Sequence, residues 1–322
     1  MILTCGEALI DVFVEPGKWL RREAVFAMGG SPCNVAVALA RQGVTAGFFG
    51  GLSSDPFGAM LRSIFDAEGV SYSLSPPLTF KTTLSIVSRD ADGHPSYDFR
   101  GTQGADIMFD VSHVPAALPP MVKAVALSSY PLVADPVRHT MLAMAELAAR
   151  DRLVSIDVNY RATLVGDPAQ WAARFAPYEM LATIMKASEE DIALAYRGTL
   201  SPQAAAAHWL ARGAALVLIT RGEQGATAYT AQNVVEVAAP RVAVVDTVGA
   251  GDCFHAGFLA ALARQNALTR SAIQSLSVQA LRDCLLWAVT AASLNVARQG
   301  TDPPSGAAIE AALSRSATRL SP

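Results

Sequence analysis

Residues 242–262 read VAVVDTVGAGDCFHAGFLAAL. A short apolar run, VAVVD, predicts a strand. It gives way to Gly249, Ala250 and Gly251, and then to Asp252 and a segment in which Phe254, Phe258, Ala261 and Leu262 recur at helical spacing. The prediction is a strand, a glycine turn, and a helix that starts near Asp252. Glycines adopt backbone angles closed to other residues and let the chain approach a ligand. The first N–H groups of the helix and the positive end of its dipole then face that ligand, which makes an anion site beside a carboxylate. Taken alone, the same four residues also fit a capped helix. Two other phosphate loops are excluded by spacing. No GxxxxGK[ST] occurs, and a GxGxxG reading would put Phe254 where the third glycine belongs.

Outward from this turn, short apolar runs alternate with amphipathic segments. ILTCG (2–6), AGFFGG (46–51), KAVALSS (123–129), RLVSIDVN (152–159), TIMKAS (183–188) and AALVLIT (214–220) read as buried strands. Between them, 34–42, 56–67, 137–150, 168–176, 202–212 and 251–265 carry helical periodicity. Such alternation predicts an α/β fold, a mostly parallel central sheet with helices on both faces. Residues 8–28 and 72–105 break the rhythm. They alternate with period two, as in TTLSIVSRDADGHPSYDFR (82–100), where DADG (90–93) reads as a turn between strands. These stretches predict a small, discontinuous β-sheet lid on a single domain spanning 1–322.

Composition narrows the class. The 322 residues are 52% hydrophobic and 16% charged with net charge −3, so a large core is expected. There is no dense basic block, and the expectation is no nucleic-acid or membrane partner. The four cysteines, Cys5, Cys33, Cys253 and Cys284, form no CxxC or Cys/His spacing, which argues against a disulfide framework or zinc site. Cys253 reads as a small apolar filler. The opening lacks the basic region and cleavage site of a signal peptide, so a cytoplasmic protein is expected.

Three segments carry a resemblance. DTVGAGDCFHAGFLAAL (246–262) is similar to the C-terminal signature of the ribokinase-like (PfkB) carbohydrate kinases, and GGSPCNVAVALARQG (29–43) to their N-terminal one. GEALIDVFVEPG (6–17) resembles the opening of the fructokinases within that family. The resemblance implies ATP- and magnesium-dependent phosphorylation of a primary alcohol, with fructose as the expected substrate. 2-Keto-3-deoxygluconate, a nucleoside or riboside, and a non-catalytic sugar-binding role are the alternatives. It implies Asp252 as general base, with Gly249, Ala250, Gly251 and Asp252 offering backbone N–H groups to the transferring phosphoryl group. Fixed positive potential of this kind is what phosphoryl transfer needs.

By the same resemblance Asp11, Gly29, Gly30, Asn34, Arg100 and Arg161 serve the substrate. Locally, Ser31 and Pro32 read as an N-cap and first-turn pair for the helix that holds Asn34. Arg100, in YDFRGTQGAD (97–106), ends a lid strand and is expected to point at the sugar. Arg161 belongs to DVNYR (157–161), which follows a buried strand and resembles a D-x-N-x-R pattern shared by fructokinases and ketodeoxygluconate kinases. Asn159, Ser188, Thr220, Gly222, Gly225 and Asn295 are expected around the nucleotide. KASEED (186–191) replaces the family's N-x-x-E with Ser188 and Asp191, so either Glu190 or Asp191 would order magnesium through water. Carbonyl-rich turns near Asp246 and Gly300 resemble a potassium site in relatives, and unpaired lid strands suggest a homodimer.

Overall fold

The computed structural model describes residues 1–14, 23–89 and 95–319. In chain order the strands and helices begin with β1 (Ile2–Cys5), β2 (Leu9–Val14), β3 (Ala24–Gly29), α1 (Ser31–Arg41), β4 (Ala46–Phe49), β5 (Leu52–Ser53) and α2 (Pro56–Glu68). Next come β6 (Pro77–Leu78), β7 (Leu84–Arg89), β8 (Pro95–Arg100), β9 (Ala124–Ser128), α3 (Arg138–Ala149) and β10 (Leu153–Asp157). They are followed by α4 (Ala162–Val165), α5 (Pro168–Leu181), β11 (Ile184–Ser188), α6 (Glu189–Ala195), α7 (Pro202–Ala211) and β12 (Leu216–Thr220). The chain closes with β13 (Ala226–Tyr229), β14 (Val234–Val237), α8 (Ala250–Arg264), α9 (Arg270–Gln274), α10 (Val278–Val296) and α11 (Gly306–Arg319).

The main sheet runs β14-β13-β12-β11-β10-β9-β1-β4. Its pairs are parallel from β12 to β4, and β13 and β14 form an antiparallel edge. The parallel strands are continuous apolar runs because both faces are covered. Period-two alternation splits them between two cores: Leu216 and Leu218 join a cluster with Leu39, Phe258 and Leu285, while Val217 and Ile219 join one with Met141, Phe175 and Trp209. The predicted α/β fold is what forms.

A second sheet, ordered β3-β2-β7-β8, comes from the two stretches that broke the rhythm. β2 pairs parallel with β7, and the outer pairs are antiparallel. The turn read at 90–93 and residues 15–22 lie outside the described residues.

Three local expectations need correction. VAVVD forms no strand: Val242, Val244 and Val245 are exposed, and the N–H groups of Val245 and Asp246 donate to the Val296 carbonyl at the end of α10, at 2.8 and 3.2 Å. A helix-end carbonyl takes the donors that a ladder would have used. The helix expected to stop at 176 runs on through Pro177, since burying Trp171, Phe175 and Tyr178 outweighs the lost hydrogen bond. Helix α1 starts at Ser31 with Gly30 as its cap and no side-chain cap bond, so Ser31 is not the N-cap.

Candidate active site

Two helix N-termini, those of α1 and α8, meet at Asp252. This carboxylate is 7% exposed. Its Oδ1 accepts from the Ser31 hydroxyl at 2.6 Å and its Oδ2 from the Asn34 amide at 2.8 Å. The Ser31 hydroxyl, freed from capping, also lies 2.9 Å from that of Ser128 at the end of β9. Asn34 Oδ1 is buried with no partner among the described residues, an acceptor left over beside the base.

Gly249 caps α8 with φ +74°, a left-handed conformation that a side chain disfavours. Ala250 N–H turns back onto the Thr247 carbonyl at 3.3 Å, and the first full helical bond runs from Cys253 to Gly249 at 2.8 Å. That leaves the N–H groups of Gly251 and Asp252 without a backbone partner among the described residues, at the positive end of a 15-residue helix. Behind the turn, Asp246 ties two segments together: Oδ1 accepts from Val248 N–H at 3.1 Å and Oδ2 from Gly300 N–H at 3.0 Å. Asp246 and Gly300 are therefore neighbours.

The turn floors a cleft of about 690 Å³. Asn159, Ser188, Thr220, Gly222 and Gly225, expected around the nucleotide, line it with Gly249–Asp252, and so do Arg161, expected at the substrate, and Glu190 and Asp191, expected at the metal. The strand C-termini of β10, β11 and β12 deliver them, where open α/β sheets place ligands. Asp191 is occupied: it accepts from Tyr160 N–H, Ser188 N–H and the Ser188 hydroxyl, at 2.8, 2.8 and 2.7 Å, in a capping box for α6. Glu190 is exposed on the rim. Asn295 is fully buried and does not line the cleft; its amide holds the Val248 carbonyl at 2.9 Å, so it supports the turn from behind instead of meeting a ligand.

On the sugar side, Asp11 lies on the face of the small sheet that carries Ser85 and Phe99. Burial pushes its carboxyl up to about 6, against the Ser85 bond and the Arg161 charge. Gly29 lies diagonally across on β3, two residues beyond Ala27, the partner of Asp11, and a Cβ there would lie 2.5 Å from Asp11 Oδ2. Arg100 is not brought to this group. It pairs with Leu84 across the ladder, one residue out of phase with the Asp11 face, and lies 70% exposed in an ion pair with Asp98. Phe99 takes the inward place, edge-on to Tyr130.

Sequence reasoning missed several buried groups. Glu7 is 3% exposed and accepts from Ser31 N–H at 3.0 Å; burial pushes its carboxyl up to about 8. Asp106 accepts from Thr83 at 2.5 Å and from the Tyr130 hydroxyl. Lys186, 3% exposed, pairs with Asp157 at 2.7 Å on the cleft wall.

These residues fit a polyphosphate, since open N–H groups and the cations of Arg161, Lys186 and Arg221 face one cleft. They also fit magnesium carried on phosphate. Among the described residues no three His, Cys, Asp or Glu side chains form a cage, but such an ion keeps waters and needs one or two carboxylates. Glu190, exposed on the rim of the cleft, is placed to supply one. Among the described residues no helix is long and apolar enough to cross a membrane.

Comparison with known proteins agrees with the geometry. A family model described as pfkB family carbohydrate kinase matches residues 1–307. The chain is 37% identical over 286 residues to a fructokinase of Rhizobium leguminosarum bv. trifolii, covering 88% of this chain and 86% of that one. A fructokinase of Xylella fastidiosa solved with bound ATP superposes with TM-score 0.89 at 29% identity, covering 98% of each chain. A double mutant of Vibrio cholerae fructokinase, solved with fructose, ADP and potassium ion, gives TM-score 0.83 at 25% identity over 96% of this chain and 97% of that one. Family match, fold and site converge, and the chain belongs to the pfkB family of carbohydrate kinases.

Proposed function

We propose that this kinase transfers the γ-phosphoryl group of ATP to the 6-hydroxyl of D-fructose, with Asp252 as general base. The observation that carries the reading is the Asp252 carboxylate, held by Ser31 and Asn34 at the head of α8, where open N–H groups face the large cleft. Asp252 takes the hydroxyl proton as the sugar oxygen bonds to the γ-phosphorus and the bond to the β–γ bridging oxygen breaks, releasing ADP. The N–H groups of Gly251 and Asp252 hold the equatorial oxygens. Magnesium, when bound, neutralises phosphate charge, with Glu190 the carboxylate placed to order its waters. Asp11 and the Asn34 carbonyl accept from sugar hydroxyls, and Arg161, exposed on the cleft yet within electrostatic reach of Asp11, spans the two ends.

The named fructokinases support fructose over the other sugars. Potassium at the turns joined by Asp246 and a homodimer through the small sheet, where Val14, Val25 and Phe26 are exposed, belong to the same proposal. Reliance on ATP and the four buried free thiols support a cytoplasmic setting. The test is ADP release coupled to NADH oxidation, with ATP and magnesium, on fructose, 2-keto-3-deoxygluconate, ribose, glucose and adenosine. Selective turnover of fructose is expected. A higher kcat/KM for any of the others would overturn the substrate.

A further inference from the structure

Lys186 sits inside an otherwise apolar strand, β11, and its ammonium is buried 2.7 Å from Asp157 Oδ2. A Cβ added to Gly251 would lie 3.2 Å from that ammonium, so the anion turn passes directly over it. Burial lowers the Lys186 pKa, but Asp157, Asp191 and Asp252 together raise it, and the group is a full cation at neutral pH. The cleft wall also carries four carboxylates, Glu189, Glu190, Asp191 and Asp252, against the guanidinium groups of Arg161 and Arg221. A polyphosphate entering there meets repulsion that the N–H groups and these two guanidinium groups only partly offset. A purely structural ion pair is a poor explanation for this placement. Buried pairs are often replaceable by apolar residues at no loss, and nothing in stability requires the ammonium to approach a glycine that lines the cleft.

We propose that Lys186 is a further catalytic residue of this kinase: its ammonium contacts the phosphoryl oxygens beneath the Gly249–Asp252 turn, with Asp157 as the positioning residue that holds it there. The inference rests on the kinase reading above. As the γ-phosphorus exchanges its bridging oxygen for the sugar oxygen and the hydroxyl proton goes to Asp252, Lys186 keeps its own protons and stabilises charge on the equatorial oxygens. Lysine meets phosphate as a point charge of this kind.

Three variants test it: Lys186→Met, Lys186→Arg and the double variant Asp157→Asn with Lys186→Met. Lys186→Met should lower kcat by about 10²–10³-fold, the usual loss for one transition-state donor, with little change in KM for fructose. Calorimetry gives a second readout. Lys186→Met should weaken binding of ADP–aluminium fluoride with fructose at least about tenfold more than binding of ADP alone. Lys186→Arg should retain part of both. The double variant removes the stranded carboxylate, so it should recover thermal stability but not turnover. Recovery of kcat in the double variant would make Lys186 a mere counterion and overturn the inference. So would full turnover of Lys186→Met in a chain whose wild type is an active kinase. A wild type that neither turns over nor binds ADP would remove the kinase reading and this inference with it.

Discussion

Replacing Gly249 with alanine probes the anion turn directly. At φ +74° a Cβ costs about 1–2 kcal/mol in the left-handed region. The new methyl would also sit 2.7 Å from Thr301 Cγ2 and 2.8 Å from its Oγ1. Ordinary contact begins near 3.4 Å, so turn and loop must separate by about 0.7 Å. A displacement approaching 1 Å at a phosphoryl-positioning element costs up to about 10²-fold in rate. Gly249→Ala should therefore lower kcat/KM for ATP by about 10–10²-fold while melting only a few degrees earlier, since about 1–2 kcal/mol is a small shift for 322 residues. Thr301→Ala removes both clashing atoms but not the backbone strain. Added to Gly249→Ala, it should restore most of the rate and little of the stability. Coupled ADP release and thermal unfolding on the four members of the cycle read both quantities. Wild-type turnover in Gly249→Ala, or no rate recovery from Thr301→Ala, would refute the reasoning.

Ser31→Ala removes a charge-assisted bond to the base and should lower kcat about tenfold with KM for ATP unchanged, because the hydroxyl touches Asp252 and not the nucleotide cleft. Asp11 serves the sugar as a carboxylate, so KM for fructose should rise as pH falls through about 6, where burial has moved its titration. Asp11→Asn should raise KM and abolish that dependence. Glu7 binds its proton in the folded state up to about 8 and in the unfolded chain only to its ordinary value of 4.5. The folded chain thus holds the extra proton between those pH values, and stability falls as pH rises, by about 1.4 kcal/mol per unit. Glu7→Gln, a mimic of the protonated form, should remove this slope. A parallel wild-type and variant melting profile from pH 5 to 8 would contradict it.

The parts of the site built from local pattern were legible in the sequence. The Gly-Ala-Gly turn, the helix after it and the six parallel strands follow from periodicity and glycine placement, and each forms within a few residues of expectation. What depends on distant residues was not legible. Ser31 fits the rule for a helix cap, yet its hydroxyl goes to Asp252, 221 positions away, and nothing in its neighbours signals that. Arg100 failed on parity: one residue along a strand decides the face, and only the register with β7 fixes it. VAVVD has strand propensity, but the N–H groups of Val245 and Asp246 go to the carbonyl that ends α10. Residues 278–290 of helix α10 escaped because the helix is apolar on most sides, so its periodicity is weak. Lys186 did carry a signal, a lone charge inside the apolar run TIMKAS. A charge in a buried strand demands a partner, and here the partner is Asp157 at the end of the neighbouring strand.

The central claim is that Asp252 takes the proton from a sugar hydroxyl. Its most direct test is the single-turnover rate of Asp252→Asn with saturating ATP, magnesium and fructose, beside the ADP affinity of the same variant. Asparagine keeps the size of the side chain and an acceptor for Ser31, so ADP binding should be unchanged within about twofold while phosphoryl transfer slows about 10²–10⁴-fold. A variant that transfers at the wild-type rate would contradict the account.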